Sequence, residues 1–337
     1  MDMTKLLLDL CGKDSVGGMG GAKELIKSEA SKYASVTELD DGSIVATVKG
    51  RTDRVLMIEA HYDQIGMVVT EVTEDGFVKC GAVGGLDIRM LPGTRVRIYG
   101  KKTVCGVFAS VPPHLKKDAK KADELSALYI DTGYRTGLKD IVSVGDFAAF
   151  DVVPEEISEG VVTGASVDDR AGCAALLGVL ESISSEGVPP ITVKAVFADK
   201  EELASRGAVT AAYSIEPDEA IAVDVSFGDT PGVSPTDTGT VGGGAMIGLA
   251  PILDKKLCDD VTEAAKRSAD YQFEVMGRRT GTDIDVIAVS RGGVRSGLIS
   301  IPIRNMHTTA ETVKVSDIKC VSDIITEYIM TYGEVCR

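Results

Sequence analysis

The stretch Val55–Asp63, VLMIEAHYD, decides the fold. Leu56, Met57 and Ile58 form a short apolar run of the kind that buries as a strand. The run ends on His61, and Asp63 follows two residues later. Open α/β sheets keep their chemistry in loops at the carboxyl ends of strands. His61, one of three histidines with His114 and His307, is therefore a candidate functional residue.

Upstream, residues 1–35 are expected to be helical, interrupted at Gly17–Gly21. The segment GGMGGAKE lacks the GK[ST] ending of a phosphate loop and follows no strand, so a turn before a helix over Ala22–Tyr33 is expected. Val36–Lys49 alternates polar and apolar residues around Asp41-Gly42, a hairpin signal.

Downstream the texture changes from about Ile65 to Asp151. Short alternating runs recur at Gly66–Glu71, Gly76–Ala82, Arg95–Tyr99, Thr103–Ala109, Ala127–Asp131 and Phe147–Val153, separated by turns rich in Gly, Pro and Asp. This reads as a small antiparallel barrel or sandwich. Pro112-Pro113 and a solvated lysine-rich loop, Lys116–Lys121, interrupt it. After Pro154 the α/β alternation returns. Helices are expected over Ala171–Ser185, Ser205–Tyr213, Lys255–Ala269, Thr282–Ser290 and Val315–Tyr332. Strands are expected over Ile191–Ala198, Glu219–Val225, Tyr271–Val275 and Gly297–Ile301, and a glycine-rich loop over Gly239–Gly248. The layout is one α/β domain built from both ends of the chain, residues 1–64 and 154–337, with a β-rich domain, residues 65–153, inserted after His61.

The bulk numbers narrow the function. Lys and Arg total 36 against 51 Asp and Glu, a net charge of −15. A phosphate backbone is repelled by that balance, so no nucleic-acid partner is expected. Hydrophobic residues make up 44%, enough for a substantial core. No apolar run reaches the length of a membrane span, and the first residues are too acidic for a signal peptide. The seven cysteines are scattered, without CxxC spacing, and are expected to be reduced thiols in a cytoplasmic protein.

Ligand-type residues stand at the ends of successive expected strands: His61, Asp168, Glu201, Glu202, Asp224 and His307. Singly, each has an ordinary structural reading. Asp168-Asp169 caps a helix, Glu201-Glu202 is a solvated pair, and His114 is structural. Converging in one crevice they would repel and desolvate one another, a cost that divalent cations relieve. Imidazole with carboxylate suits Zn²⁺, Co²⁺ or Mn²⁺. Three carboxylates, Asp168, Glu202 and Asp224, leave two divalent ions one positive charge in excess, which a bridging hydroxide, the species needed for hydrolysis, would neutralise.

At these residues the chain resembles a family, the dinuclear-metal glutamyl and tetrahedral (TET) aminopeptidases, whose members also carry the names cellulase M or endoglucanase. The resemblance lies in AHYDQIG (60–66), GVFASVPPHL (106–115), VSVGD (142–146), VDDRAGC (167–173), EELASRGA (201–208), AVDVSFGDTPG (222–232) and SRGGVRSGLISIPIRNMHTTAE (290–311). It covers nearly the whole chain, with the blocks in order. It implies a phosphorylase/hydrolase-like three-layer α/β sandwich with an inserted β-barrel. It implies metal ligands at His61, Asp168 (bridging), Glu202, Asp224 and His307, a general base at Glu201, and Asp63 orienting His61. It implies two divalent ions per subunit (Zn²⁺ or Co²⁺, with Mn²⁺ also suited), short peptides with a free N-terminus as substrates, and a homo-oligomer, a dodecamer built from dimers. Gln64, Lys200 and Ala204 depart from the family's usual glutamate, glutamine and glycine, beside the site, where they could alter substrate preference. Gly239–Gly248 and Arg291-Gly292-Gly293 are expected to flank the pocket for the first side chain, Arg291 being able to favour an acidic one. The rivals are a metal-free glycoside hydrolase of endoglucanase type using two carboxylates, and an idle scaffold.

Overall fold

In the computed structural model, which describes residues 1–115 and 124–332, the opening stretch is the strand on which the molecule is layered. Helices α1 (Met3–Cys11) and α2 (Lys23–Ala30) lead to the hairpin β1 (Ser35–Glu38) and β2 (Ile44–Val48), then to β3 (Val55–His61). The hairpin turns at Gly42, whose φ of +99° is open to glycine and strained for other residues. Side chains of β3 alternate between two cores, as a strand's period of two requires. Leu56, Ile58 and Ala60 enter one core, and Met57 enters the other.

The chain then leaves for a closed barrel made of β4 (Gly66–Val72), β5 (Phe77–Val83), β6 (Arg95–Tyr99), β7 (Thr103–Phe108), β8 (Ile130–Asp131) and β9 (Phe147–Phe150). These are the six expected runs, and they close as a barrel. Alternation fills it: Val104 and Phe108 of β7 point inward with Val96 and Ile98 of β6, while Val107 is exposed. The expected lysine loop Lys116–Lys121 lies outside the described residues.

The return runs through a hairpin absent from the expectation, β10 (Glu155–Ser158) and β11 (Val161–Gly164), and then α3 (Val167–Glu186), β12 (Thr192–Ala198), α4 (Arg206–Ile215) and β13 (Glu219–Phe227). Next come β14 (Ala245–Leu249), α5 (Lys255–Ser268), β15 (Tyr271–Val275), α6 (Ile284–Ile287), β16 (Arg295–Arg304), β17 (Glu311–Lys314) and α7 (Val315–Met330). Three details correct the expectation. The helix over Thr282–Ser290 is only the four residues of α6. The end of the expected loop Gly239–Gly248 is strand β14, and β17 is an additional strand.

One eleven-stranded sheet runs β1-β2-β12-β3-β13-β16-β17-β11-β10, with β14 joined to β16 and β15 to β14. Its centre, β12-β3-β13-β16, is parallel. One face is covered by α1, α2, α3, α5 and α7, and the other by α4 and α6. This is the three-layer α/β sandwich with an inserted barrel. On the second face the ten and four residues of α4 and α6 leave the strand ends uncovered, and a cavity of about 640 Å³ opens there. No described helix is long and apolar enough to cross a membrane.

Candidate metal centre

The period of two places the site. Met57 enters the core under α4 and α6, so Glu59 and His61, two and four residues on, face the same way. On β13, Ala220 and Ala222 enter that core, and Asp224 continues their row. Glu201 and Glu202 follow β12, Asp168 opens α3, and His307 lies in the turn after β16. All six expected residues line the one cavity.

The imidazole of His61 is buried, with Nδ1 3.2 Å from the carbonyl oxygen of Asp63. That contact orients the ring so that Nε2 faces Asp168 Oδ1 at 3.1 Å and Asp224 Oδ1 at 3.9 Å. His307 Nε2 lies 3.3 Å from Asp168 Oδ2 and 3.6 Å from Glu202 Oε1. Two ligand sets result, His61–Asp168–Asp224 and Asp168–Glu202–His307, and Asp168 belongs to both. Imidazole nitrogen and carboxylate oxygen suit a borderline divalent cation, and a carboxylate shared through its two oxygens suits a pair of them. The residues fit such ions on donor chemistry and grouping alike.

Asp63 does more than orient His61. Its carboxylate accepts the backbone N–H of Glu201 at 2.9 Å and of Glu202 at 3.3 Å, so it fixes the loop that carries both glutamates. His61 Nδ1 is 3.5 Å from the same carboxylate, and the closer carbonyl contact is the hydrogen bond.

The electrostatics are those of a crowded acid cluster. Burial, and then the carboxylates of Asp283, Glu202 and Asp168 working against His61, push Glu201 up to about 8. Burial and the Asp168 charge push Glu202 up to about 7. Burial and Asp169 raise Asp224 well above the usual carboxylate range. Burial also opposes the charge on Asp168, but hydrogen bonds from His307 and His61 outweigh it and hold that group well below the ordinary value. The Asp168 hydrogen bond lifts His307 to about 9, against burial. Burial would lower His61, and its bonds to Asp168 and Asp63 lift it well above normal instead.

Two features were missed from the sequence. Glu311, 1% exposed at the start of β17, accepts the backbone N–H of Asp168 at 3.1 Å and of His307 at 2.8 Å. It fixes the shared ligand and the last histidine together, and it holds His307 at a left-handed φ of +59°. The pairing of β11 with β17 sets Glu311 opposite Gly164, four residues before Asp168, which explains its reach. The second feature is Gly84-Gly85, after β5 of the barrel. A Cβ on Gly84 would lie 2.7 Å from Glu202 Oε2, and one on Gly85 2.8 Å from His307 Nδ1. The barrel thus approaches the centre with bare backbone.

One expectation, that Arg291 flanks the pocket, is corrected. Arg291 is outside the cavity lining. It lies 3.9 Å from the centre of the Tyr213 ring, donates to the Tyr213 carbonyl at 2.7 Å and pairs with Glu216 at 2.9 Å. The expected Gly239–Gly248 stretch reaches the cavity through Met246, while its Gly242 and Gly244 donate to Asp317 of α7 at 2.7 and 3.0 Å. Gln64, Lys200 and Ala204 also stay outside the lining. Gln64 is buried and accepts from Ser15 at 3.0 Å and from the buried Arg170 at 3.4 Å. Lys200 pairs with Asp199 at 2.6 Å. Ala204 takes a φ of +69° where the family's usual glycine is unstrained. His114 is exposed and joins neither ligand set.

With this geometry in hand, the likeness to known proteins is informative. A relative from Acetivibrio thermocellus that bears an aminopeptidase name is 34% identical over 97% of this chain and 98% of its own. The solved aminopeptidase APDkam598 from Desulfurococcus kamchatkensis is 30% identical, with a TM-score of 0.91 over 97% of this chain and 94% of that one. The solved dodecamer PhTET1-12s is 25% identical, with a TM-score of 0.86 over 98% and 99%. The family of M42 glutamyl aminopeptidases matches residues 42–324, spanning every ligand-type residue of the cavity, and the chain belongs to that family.

Proposed function

We propose that this chain is a dinuclear-metal aminopeptidase that removes N-terminal residues from short unblocked peptides. The observation that carries the reading is the pair of ligand sets joined through Asp168. His61, Asp168 and Asp224 would hold one divalent cation, and Asp168, Glu202 and His307 the other, with Zn²⁺ or Co²⁺ favoured by the donors and Mn²⁺ also suited. When bound, the pair supplies an anchor for the free α-amine, a Lewis acid for the scissile carbonyl and a more acidic water.

The chain's own residues supply the rest. Glu201 takes the proton of the attacking water as its oxygen joins the carbonyl carbon. It then delivers that proton to the nitrogen as the C–N bond breaks, giving a carboxylic acid and an amine. Burial and the neighbouring carboxylates raise Glu201 in the metal-free chain, and beside bound cations it would return toward an ionised carboxylate able to take the proton. Asp63 and Glu311 hold the glutamate loop and the His307 turn by their backbone amides.

The domain division follows the same reading: residues 1–64 and 154–337 carry the chemistry, and the barrel of residues 65–153 pairs subunits. Likeness to PhTET1-12s supports a dodecamer built from dimers. Free thiols at all six described cysteines support a reducing, cytoplasmic setting.

The test uses short peptides with free and acetylated N-termini, before and after chelation and reloading with Co²⁺ or Zn²⁺. Release of the first residue from free peptides only, abolished by chelator and restored by metal, is expected. Chelator-resistant cleavage of carboxymethylcellulose, with no amino acid released from peptides, would overturn the reading and restore the glycoside hydrolase.

A further inference from the structure

Beyond the acids gathered around Asp168, the cavity wall carries two more carboxylates, Glu274 and Asp237. Glu274, in β15, accepts from the hydroxyls of Ser226 in β13 and Ser300 in β16, the latter at 2.8 Å. Both serines are buried, at 7% and 1% exposure. Neutral hydroxyls hold the charge in place and leave it uncompensated. Asp237 lines the same cavity from the segment after β13, and no Lys or Arg is among the described residues that line it. Arg278 and Arg279, on the loop after β15, are exposed and outside the lining. Arg291, the cation expected at this pocket, is committed to Tyr213 and Glu216.

Register locates the charge. Asp224 and Ser226 are alternate residues of β13, on one face and roughly 7 Å apart along the strand. Ser300 is the register partner of Asp224 on β16. Glu274, bonded to both serines, therefore sits beside the metal-binding residues and not among them. Met246, Met276 and Leu298 line the cavity as well and give a long aliphatic stem an apolar wall.

We infer that the cavity selects peptides whose first side chain is a cation, lysine or arginine, and that Glu274 is the specificity-determining residue, with Asp237 a second acidic group in the same lining. The inference rests on the aminopeptidase reading and adds the substrate class to it. An ammonium or guanidinium reaching Glu274 gains a charge-assisted hydrogen bond. An aliphatic side chain desolvates the same carboxylate with no return, and an acidic one meets like charge. The preference is thus opposite to the one an arginine-lined pocket would give.

The test measures kcat/KM for Lys-, Arg-, Leu- and Glu-p-nitroanilides with the full-length, Co²⁺-loaded protein. Lys and Arg are expected to exceed Leu by about tenfold or more, with Glu the poorest. In Glu274→Gln the Lys/Leu ratio is expected to fall by about tenfold, and Glu274→Lys is expected to raise Glu above Lys. A parent enzyme that prefers Leu or Glu, or a Lys/Leu ratio unchanged in Glu274→Gln, overturns the inference. Failure to cleave any of the four would sink the peptidase reading separately. Calorimetric binding of L-lysinol against L-leucinol to the Co²⁺-loaded protein then decides selectivity alone. Tighter lysinol binding that Glu274→Gln abolishes supports the inference, and equal binding of the two overturns it.

Discussion

Glu311 offers the sharpest test of how the centre is held. Its carboxylate accepts two backbone N–H groups, one from Asp168 and one from His307, and it is 1% exposed. Glu311→Gln keeps the shape but turns one acceptor into a donor, so one N–H loses its partner in a buried site. A hydrogen bond to a charged acceptor contributes about 1.5–3 kcal/mol, and an unsatisfied buried donor costs about 1–3 kcal/mol. Taking about 2 kcal/mol as the effect on the ligand turn, retention of the ion bound by His307 should weaken about 30-fold. That lies within the roughly 10–100-fold lost when partners behind metal ligands are removed. Competition against a chromogenic chelator gives the affinity directly, with circular dichroism reporting that the fold survives. Excess metal should restore much of the rate, because Glu201 and the cavity are untouched. A folded Glu311→Gln protein that holds both ions within twofold of the parent would refute the reasoning.

Three further outcomes follow from the same geometry. Glu201→Gln should retain both ions by elemental analysis yet lose about 10²–10⁴ in kcat, since it removes only proton transfer. Metal loading should release protons: in the metal-free chain His307 is raised to about 9, Glu202 to about 7, and His61 and Asp224 well above their ordinary values, and coordination needs all four groups free. Affinity should therefore fall as pH drops, with release of more than one proton per chain measurable in weak buffer at pH 7. Light scattering of the metal-loaded protein should give a mass near that of twelve chains, and a monomer mass at micromolar concentration would contradict the assembly proposed here.

What was legible in the sequence follows from how each signal is encoded. His61 and Asp224 could be read because each ends or interrupts an apolar strand run, and a parallel sheet brings such ends together wherever the strands lie in the chain. The barrel could be read because its strands are short, alternating and separated by turns. Glu311 could not, because its role depends on the pairing of β11 with β17, and neither short strand carries a long enough pattern to stand out. Arg291 was misplaced for the opposite reason. A cation in a glycine-rich block looks available on paper, while in space Tyr213 and Glu216 have already taken it. Glu274 sits between two exposed apolar residues, Phe273 and Val275, and reads as the polar face of an edge strand until Ser226 and Ser300 arrive from other strands.

The ligand sets also have a history within each molecule's synthesis. His61 is made early and His307 near the end, and no subset of the chain short of the β16 turn contains both sets. At roughly 5–20 residues per second, the roughly 250 residues between them take tens of seconds to emerge from a ribosome. During that interval the polypeptide has at most one complete set, His61, Asp168 and Asp224, and the second set is missing its imidazole. On the two-ion reading the second site would be completed only when the turn after β16 has emerged, so assembly of the whole centre would wait for nearly the entire chain.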